Sequence, residues 1–283
     1  MEPNLLGLLL PEPTARDNKY SRGTVGLVTG SDDYPGAALL GIAGAQGTSV
    51  GFVRYVGPRR VSDLVLLSHP EVVVCDSTES AGPAQAWVLG SGIGVQRGVI
   101  QGQVQNLKAA FASATVAVID AAALDLVGET ATPANAHYLL TPHQGEICRL
   151  LNRLDSGSFI HPENLDEREL AVAATLKAAR LSGHAVLLKG AITTIAQPDG
   201  RFIEVGPNSS RLATAGTGDV LAGIIGGIAA QNPLVAQANW LDIARLAVEL
   251  HSAAAEIANQ HGTVTASTVA SAVSQAISRR FHR

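Results

Sequence analysis

Short apolar runs alternate with longer segments of helical periodicity along most of the chain. The apolar runs, which are typical of strands buried on both faces of a sheet, are 25–29, 50–54, 71–75, 86–89, 116–120, 137–141 and 185–189. The predicted helices are 35–46, 61–67, 101–112, 145–151, 165–181, 218–230, 237–260 and 265–278. This alternation predicts an α/β fold with a mainly parallel central sheet and helices on both faces.

The segment from Thr193 to Val205 breaks the alternation. Two extended pieces flank Pro198-Asp199-Gly200, a sequence typical of a hairpin turn. We therefore predict an antiparallel hairpin at one edge of the sheet. No internal repeat or shift in composition divides the chain, so residues 1–283 are interpreted as a single domain.

The helix predicted at 218–230 follows the loop Ala213-Thr-Ala-Gly-Thr-Gly218. Residues 220–230 are only Val, Leu, Ile, Ala and Gly, so this helix is expected to be buried and its N-terminus to open into a site. Free N–H groups and the helix dipole favour a phosphate there. The carboxylate of Asp219 would repel such a ligand unless it takes a proton from an attacking hydroxyl. The alternative is that Asp219 only caps the helix.

Further candidate site residues follow the predicted strands, because ligands of open α/β sheets bind at the carboxyl ends of the strands. These candidates are Gly30-Ser31, Gly90–Gly94, Asp120, Thr141–Glu146 and Lys189-Gly190. Each has a structural alternative. His143 could cap a helix or pack in the core, Lys189 could form a structural ion pair, and Asp120 could anchor a turn.

Composition excludes some classes of function. Hydrophobic residues make up 46% of the chain and charged residues 16%, which is ample for a core. The net charge is −4 and there is no basic block, which argues against nucleic acid or an anionic membrane as a partner. No apolar run reaches the length of a membrane span. Cys75 and Cys148 lie in apolar stretches and predict buried thiols in a reducing, cytoplasmic compartment.

Several segments resemble, in the same order, the nucleotide-dependent NAD(P)H-hydrate dehydratases, a family with a ribokinase-like fold. They are Asn18–Gly23, Gly30-Ser31 with Tyr34–Leu40, Leu89–Gly94, Leu140–Glu146, Leu188–Thr193 and Ala213–Gln231. The Thr-Pro-His-Gln-Gly-Glu run that ends at Glu146 is the most specific, because related thiamine-precursor kinases usually have Asn where His143 stands. No attached epimerase domain is expected, as in standalone bacterial members of the family.

The resemblance implies a nicotinamide-nucleotide repair reaction. The family restores hydrated NADH or NADPH by a dehydration that ADP or ATP drives, and its members are lyases. The expected route is phosphorylation of the ring hydroxyl followed by loss of phosphate, with Mg²⁺ accompanying the nucleotide. Standalone bacterial members typically use ADP. A homo-oligomer, for example a tetramer, is expected.

The resemblance also implies roles for individual residues. Asp219 would be the catalytic base, and the amides from Gly216 to Gly218 would stabilise charge on the transferring phosphate. The residues expected to hold the nucleotide are Lys189, Gly190, Ala191, Ile192, Thr193 and Gly218. Those expected to contact the hydrated cofactor are Ala38, Gly94, His143 and Asp219. Glu146 is a candidate for the region of the metal or phosphate.

The chain departs from the family pattern at several positions. The family usually has Pro where Ser91 and Gln144 stand, often has Asp where Ala122 stands, and has Gly-Asn-Pro-Gly-Met at 208–212. Two alternatives therefore stay open: a ribokinase-family kinase for a small alcohol or vitamin precursor, and a degenerate, non-catalytic paralogue. His143 favours the dehydratase over the kinase, and the presence of Asp219 favours an enzyme.

Overall fold

The computed structural model describes residues 5–94, 101–155 and 167–281. Its described strands form one sheet in the order β3-β2-β1-β4-β5-β6-β7-β8-β9. They are β1 Thr24–Val28, β2 Phe52–Val56, β3 Val73–Cys75, β4 Ala86–Leu89, β5 Val116–Ile119, β6 His137–Leu140, β7 Ala185–Leu188, β8 Thr193–Ala196 and β9 Phe202–Val205. Strands β1 to β7 pair in parallel. Strands β8 and β9 add an antiparallel hairpin at the edge. The predicted, mainly parallel sheet and the predicted edge hairpin are therefore both confirmed.

The described helices surround this sheet. They are α1 Leu5–Leu9, α2 Gly36–Gly47, α3 Arg59–Ser68, α4 Thr78–Ala81, α5 Gln101–Ser113, α6 Gln144–Leu154, α7 Arg168–Ser182, α8 Thr217–Gln231, α9 Pro233–Ala238, α10 Trp240–Gln260 and α11 Ala266–Phe281. Short 3₁₀ turns lie at Ala121–Leu126 and Ser210–Leu212. Within the described ranges, no helix is both long and apolar enough to cross a lipid bilayer.

The predicted helix 237–260 corresponds to α10, which begins three residues later, and a separate short helix, α9, ends just before it. The side chain of Asn239 accepts a hydrogen bond from the Leu241 N–H and so caps α10, while Pro233 begins α9. Both residues are typical of helix starts. Residues 165 and 166 of the predicted helix 165–181 lie outside the described residues.

Successive residues of the central strands face two separate cores. In β4, Val88 belongs to a core that contains residues of β1, α8 and α10, whereas Trp87 and Leu89 belong to a second core that contains residues of α5 and α6. This alternation is the two-residue period of an extended strand. It explains why the strands read as continuous apolar runs, since both of their faces are covered.

Helices α2 and α8 pack backbone against backbone. A Cβ atom built on Gly223 would lie 2.0 Å from the carbonyl oxygen of Gly41, and one built on Gly44 would lie 2.4 Å from that of Val220. Glycine permits this approach because it has no side chain. The contact fixes the position of α8, and therefore of its N-terminus, against the sheet.

We expect Gly223→Ala to lower the free energy of unfolding by about 2–3 kcal/mol, because the new methyl group must push two backbones apart. Urea denaturation measures the change. Gly102→Ala in α5 is the matched control, since a Cβ atom there would meet nothing within 4 Å. The control should be neutral or stabilise by up to about 1 kcal/mol. Equal effects of the two substitutions would contradict close packing at Gly223.

Candidate functional site

A buried carboxylate lies where four neighbouring strands end. Asp120 follows β5, is 3% exposed, and accepts hydrogen bonds from the hydroxyls of Ser91 at 2.7 Å and Thr141 at 2.9 Å. The Lys189 ammonium, which follows β7, donates to the same carboxylate at 2.8 Å. Asp120 makes no capping bond to the 3₁₀ turn after it. The ion pair considered for Lys189 is therefore present, and Asp120 also holds the turn that contains Ser91.

The two charges of this pair stabilise one another. Burial alone would raise the pKa of Asp120, but Lys189 and the hydrogen bonds from Ser91 and Thr141 outweigh it and lower that pKa. Burial would likewise lower the pKa of Lys189, but Asp120 and then Glu146 outweigh it and raise the pKa. Both groups are therefore charged at neutral pH.

The Lys189 ammonium also lies beside the N-terminus of α8. A Cβ atom built on Gly218 would be 3.7 Å from its Nζ atom, and the nearest Glu146 carboxylate oxygen is 3.9 Å away. Gly216 begins α8 with a φ of +90°, and a Cβ atom there would lie 2.5 Å from the Leu40 Cδ1 atom. Glycine is thus required at this turn for both conformation and space.

The N-cap residue of α8, Gly216, makes no side-chain capping bond. The Thr217 N–H makes a long hydrogen bond to the Thr214 carbonyl at 3.5 Å, and the next N–H, that of Gly218, is placed to meet an anion beside the Lys189 ammonium. Asp219 lies in this first turn, and its roles as a catalytic base or as a capping residue stay predictions.

The carboxylate of Asp219 holds its proton unusually tightly. Burial raises its pKa to about 6, with a further upward contribution from Asp120 and an opposing one from Lys189. A carboxylate with a pKa near the working pH is well suited to general base catalysis.

His143 begins α6 as its N-cap. Its Nδ1 atom accepts hydrogen bonds from the N–H groups of Gly145 at 3.0 Å and Glu146 at 3.4 Å, and its own backbone N–H donates to the Glu146 carboxylate at 2.8 Å. The capping role considered for His143 is therefore present. Because Nδ1 accepts, the neutral ring carries its proton on Nε2. The side chain is 56% exposed and its Nε2 atom lies 3.5 Å from the Glu146 carboxylate, and a contact of this ring with the hydrated cofactor stays a prediction.

The turns that follow β1 and β4 contain Gly30 and Gly90–Gly94, and they lie side by side where the strand order reverses. The Gly30 N–H donates to the Ser91 carbonyl at 2.7 Å, and a Cβ atom built on Gly30 would lie 2.9 Å from that of Ala38. Ala38 is fully buried, and its N–H donates a hydrogen bond to the Pro35 carbonyl. A Cβ atom on Gly94 would meet nothing within 4 Å. The contacts of Ala38 and Gly94 with a hydrated cofactor stay predictions.

A cavity of about 490 Å³ opens next to Lys189, between the β8–β9 hairpin, the loop 208–213, α8 and α10. Its lining includes the predicted nucleotide residues Lys189, Gly190, Ala191, Thr193 and Gly218. Ile192 instead lines a neighbouring cavity of about 280 Å³ on the other side of the same turn. The structure thus brings five of the six predicted nucleotide residues to one cavity.

Asn208 and His251 are among the lining residues of this cavity to which the sequence assigned no role. The Asn208 side-chain amide donates to the Gly190 carbonyl and to the Thr193 hydroxyl, each at 2.9 Å, and so braces the turn after Lys189. His251 is buried, its imidazole bonds to the backbone of Thr217, and burial lowers its pKa to about 4. Its position on the apolar face of the helix, with Ala247, Ala254 and Ala255, was the available sequence signal for it.

These features together define the class of the protein: an α/β protein with a ribokinase-like fold, whose candidate site lies at the carboxyl ends of the parallel strands. An ADP/ATP-dependent NAD(P)H-hydrate dehydratase from Bacillus subtilis, co-crystallised with ATP and Mg²⁺, superposes with a TM-score of 0.79. It is 26% identical, and the match covers 97% of this chain and 96% of that one.

Sequence comparisons identify the family within this class. The family model described as NAD(P)H-hydrate dehydratase matches residues 25–279. An ADP-dependent (S)-NAD(P)H-hydrate dehydratase from Neisseria meningitidis is 31% identical over 92% of this chain and 85% of its own length. A bifunctional NAD(P)H-hydrate repair enzyme from Mycobacterium tuberculosis is 36% identical over 78% of this chain, which spans 43% of that relative. The chain belongs to the NAD(P)H-hydrate dehydratase family.

Proposed function

We propose that this chain catalyses the dehydration of hydrated NADH or NADPH to NADH or NADPH, driven by ADP or ATP. The observation that carries the proposal is a carboxylate with a pKa of about 6, Asp219, in the first turn of α8. The Lys189 ammonium and a nucleotide-sized cavity lie beside that helix. The names of the Neisseria and Bacillus proteins support the same reaction.

The proposed chemistry begins with the hydroxyl of the hydrated ring. Asp219 takes its proton while the hydroxyl oxygen attacks the terminal phosphorus of the nucleotide. A new O–P bond forms and the bridging P–O bond breaks, which releases AMP from ADP or ADP from ATP. The ring C–O bond then breaks, phosphate leaves, and loss of a ring proton restores the double bond of NAD(P)H.

The amides of Gly216 to Gly218 and the Lys189 ammonium would stabilise the charge that develops on the phosphoryl oxygens. The contact of α8 with α2 fixes the position of the amides, and the hydrogen bond to Asp120 restrains the ammonium. Little reorganisation would therefore be needed when the phosphate arrives.

Magnesium would enter with the nucleotide. Among the described residues, no group of three His, Cys, Asp or Glu side chains is arranged to hold a metal. That fits Mg²⁺, which keeps several waters and is usually held by substrate phosphates with one or two carboxylates. Glu146 is the candidate carboxylate, since it lies 3.9 Å from the Lys189 ammonium at the same end of the site.

The altered loop 208–212 does not obstruct the proposed site. Its Ser209 N–H donates to the Ser252 hydroxyl on α10 at 2.9 Å, and Asn208 braces the turn after Lys189. The loop therefore lines the cavity without filling it. This arrangement argues against the non-catalytic alternative. A cytoplasmic location and a homo-oligomeric state stay predictions.

The proposal is tested by incubating the purified protein with hydrated NADH or hydrated NADPH and either ADP or ATP, each with Mg²⁺. We expect the absorbance of the restored dihydronicotinamide ring to rise with at least one nucleotide. The four combinations also give the preference for each substrate. No rise in any combination would contradict the proposed function, and phosphorylation of a vitamin precursor instead would favour the kinase.

Adenine nucleotide should raise the melting temperature of the protein by mass action. At a nucleotide concentration 100 times its Kd, the stabilisation is about 2.7 kcal/mol. Differential scanning fluorimetry with millimolar ADP or ATP and Mg²⁺ measures the shift. Lys189→Met should abolish most of it. An unchanged melting curve of the unsubstituted protein would contradict the assignment of the cavity to a nucleotide.

The two roles of His143 can be separated by two substitutions. His143→Ala removes both the helix cap and the imidazole, so we expect it to lose about 1 kcal/mol of stability. It should also lose about 1–3 kcal/mol of affinity for the hydrated cofactor. His143→Asn keeps a good cap and loses only the ligand contact. Calorimetric titration of each variant with hydrated NADH, and with ADP as reference, measures both affinities.

If His143 serves only as a cap, the Asn variant will bind hydrated NADH like the unsubstituted protein, and the predicted substrate contact is wrong. A loss confined to ADP binding would instead move His143 to the nucleotide half of the site.

A further inference from the structure

Asp120 is connected to both halves of the proposed site. The Ser91 hydroxyl that donates to it belongs to the turn Gly90–Gly94, whose Gly94 is a predicted contact of the hydrated cofactor. Lys189, which donates to its other oxygen, lines the nucleotide cavity. The carboxylate therefore links the turn after β4 to the lysine after β7.

The position of the Lys189 ammonium depends on this carboxylate. A lysine side chain is long and flexible, and three rotatable N–H donors give it little directional preference. The hydrogen bond to Asp120 at 2.8 Å restrains it beside Gly218. The competing Glu146 carboxylate is 3.9 Å away, beyond hydrogen-bonding distance. Without Asp120, we expect the ammonium to move toward Glu146.

The carboxylate of Asp120 is itself held rigidly. It is 3% exposed, one oxygen accepts from Thr141 and Lys189, and the other accepts from Ser91. Three donors from three different strand ends leave it a single orientation. It can therefore act as a fixed reference point for the lysine.

We propose that Asp120 is a positioning residue, which holds the Lys189 ammonium where it meets the phosphate groups of the bound nucleotide. The proposal rests on the proposed function, because it requires a phosphate-bearing nucleotide next to Lys189. Asp120 acts through Lys189 and touches neither substrate.

The first test compares two ligands on the variant Asp120→Asn. The ligands are ADP with Mg²⁺, which carries phosphates, and adenosine, which does not. We expect calorimetry to show ADP affinity weaker by about tenfold, while adenosine affinity stays within about twofold. A general disturbance of the cavity would weaken both ligands, and that result would overturn the proposal.

Electrostatics alone predicts the opposite sign for this variant. Removing a negative charge near the phosphates should tighten ADP binding if Asp120 acts only through its own field. Tighter or unchanged ADP binding by Asp120→Asn would therefore overturn the proposal.

A double-substitution cycle tests whether Asp120 acts through Lys189. The variant that combines Asp120→Asn with Lys189→Met should bind ADP no more weakly than Lys189→Met alone, because the positioned group is already absent. If the losses of ADP affinity in the two single variants multiply in the double variant, Asp120 acts independently of Lys189 and the proposal is overturned.

Asp155→Asn is the matched control. Asp155 also pairs with a lysine, Lys177, at 2.6 Å, but it follows the C-terminus of α6, about 16 Å from the site end of that helix. It should leave ADP affinity unchanged. If Asp120→Asn does not fold, Ser91→Ala removes one donor from the carboxylate and should weaken ADP binding by about two- to fivefold, again without affecting adenosine. Unchanged ADP affinity of Ser91→Ala would then overturn the proposal.

The outcomes separate this proposal from the proposed function. If the unsubstituted protein binds no ADP, the proposed function fails and this proposal fails with it. If the unsubstituted protein binds ADP and restores NADH, but ADP binding is insensitive to Asp120→Asn, only the positioning role is refuted.

Discussion

We expect Asp219→Asn to lower the rate of dehydration by about 10²-fold or more, because an amide cannot accept the proton of the attacking hydroxyl. The substitution preserves the shape of the side chain. It also preserves any capping of the α8 N-terminus by this side chain, because Asn is a good cap residue. Steady-state kinetics with hydrated NADH and ADP measure the effect. ADP should bind at least as tightly to the variant, because a negative charge near the phosphates has been removed.

The same substitution should stabilise the protein at neutral pH. The pKa of Asp219 is raised from 3.8 to about 6, so the folded protein binds this proton more tightly than the unfolded chain does. The stability from the bound proton is therefore present at low pH and is lost as the pH rises from about 4 through 6. The amide side chain of the Asp219→Asn variant carries no charge, and we expect a gain of about 1–2 kcal/mol at pH 7–8.

Asp242→Asn is the matched control, because Asp242 is an acidic residue in the first turn of another apolar helix, α10. It should keep nearly full activity. Turnover of Asp219→Asn close to that of the unsubstituted protein would contradict the assignment of Asp219 as the base.

The second large effect is expected on the pH dependence of kcat/KM. This parameter reports the ionisation of the free enzyme, and Asp219 must be a carboxylate to act as a base. With a pKa of about 6, kcat/KM should be level above pH 7 and fall about tenfold per unit well below pH 6. Initial rates between pH 4.5 and 8 in buffers of constant ionic strength measure the profile.

For the residual activity of Asp219→Asn, kcat/KM should not show this fall below pH 6. A fall that persists in the variant would assign the ionisation to another group. A break near pH 4 in the unsubstituted protein would show that burial does not raise the pKa of Asp219 in solution.

Hydrophobic pattern alone predicted most of the sheet. The predicted strand 86–89 has the observed bounds, and the other predicted strands lie within two residues of the observed ones. Strands that are buried on both faces leave an uninterrupted apolar signal, which explains this agreement. The short helices α1, α4 and α9 were missed because five, four and six residues carry too little periodicity.

The position of the site was predictable because parallel strands place their following loops at one edge. The pairing of side chains within it was not. Asp120 and Lys189 are 69 residues apart, and only the sheet order shows that one strand, β6, separates β5 from β7. Likewise, the pKa of Asp219 depends on its burial and on Asp120, neither of which a local pattern contains.

The stoichiometry of a single reaction tests the central claim most directly. Hydrated NADH is incubated with the protein and ADP, and the NADH restored and the AMP and phosphate released are counted in the same sample. The proposed chemistry predicts that each restored NADH is matched by one AMP and one phosphate, with no restoration when ADP is omitted. Restoration without nucleotide, or AMP formed without NADH, would contradict a dehydration driven by phosphoryl transfer.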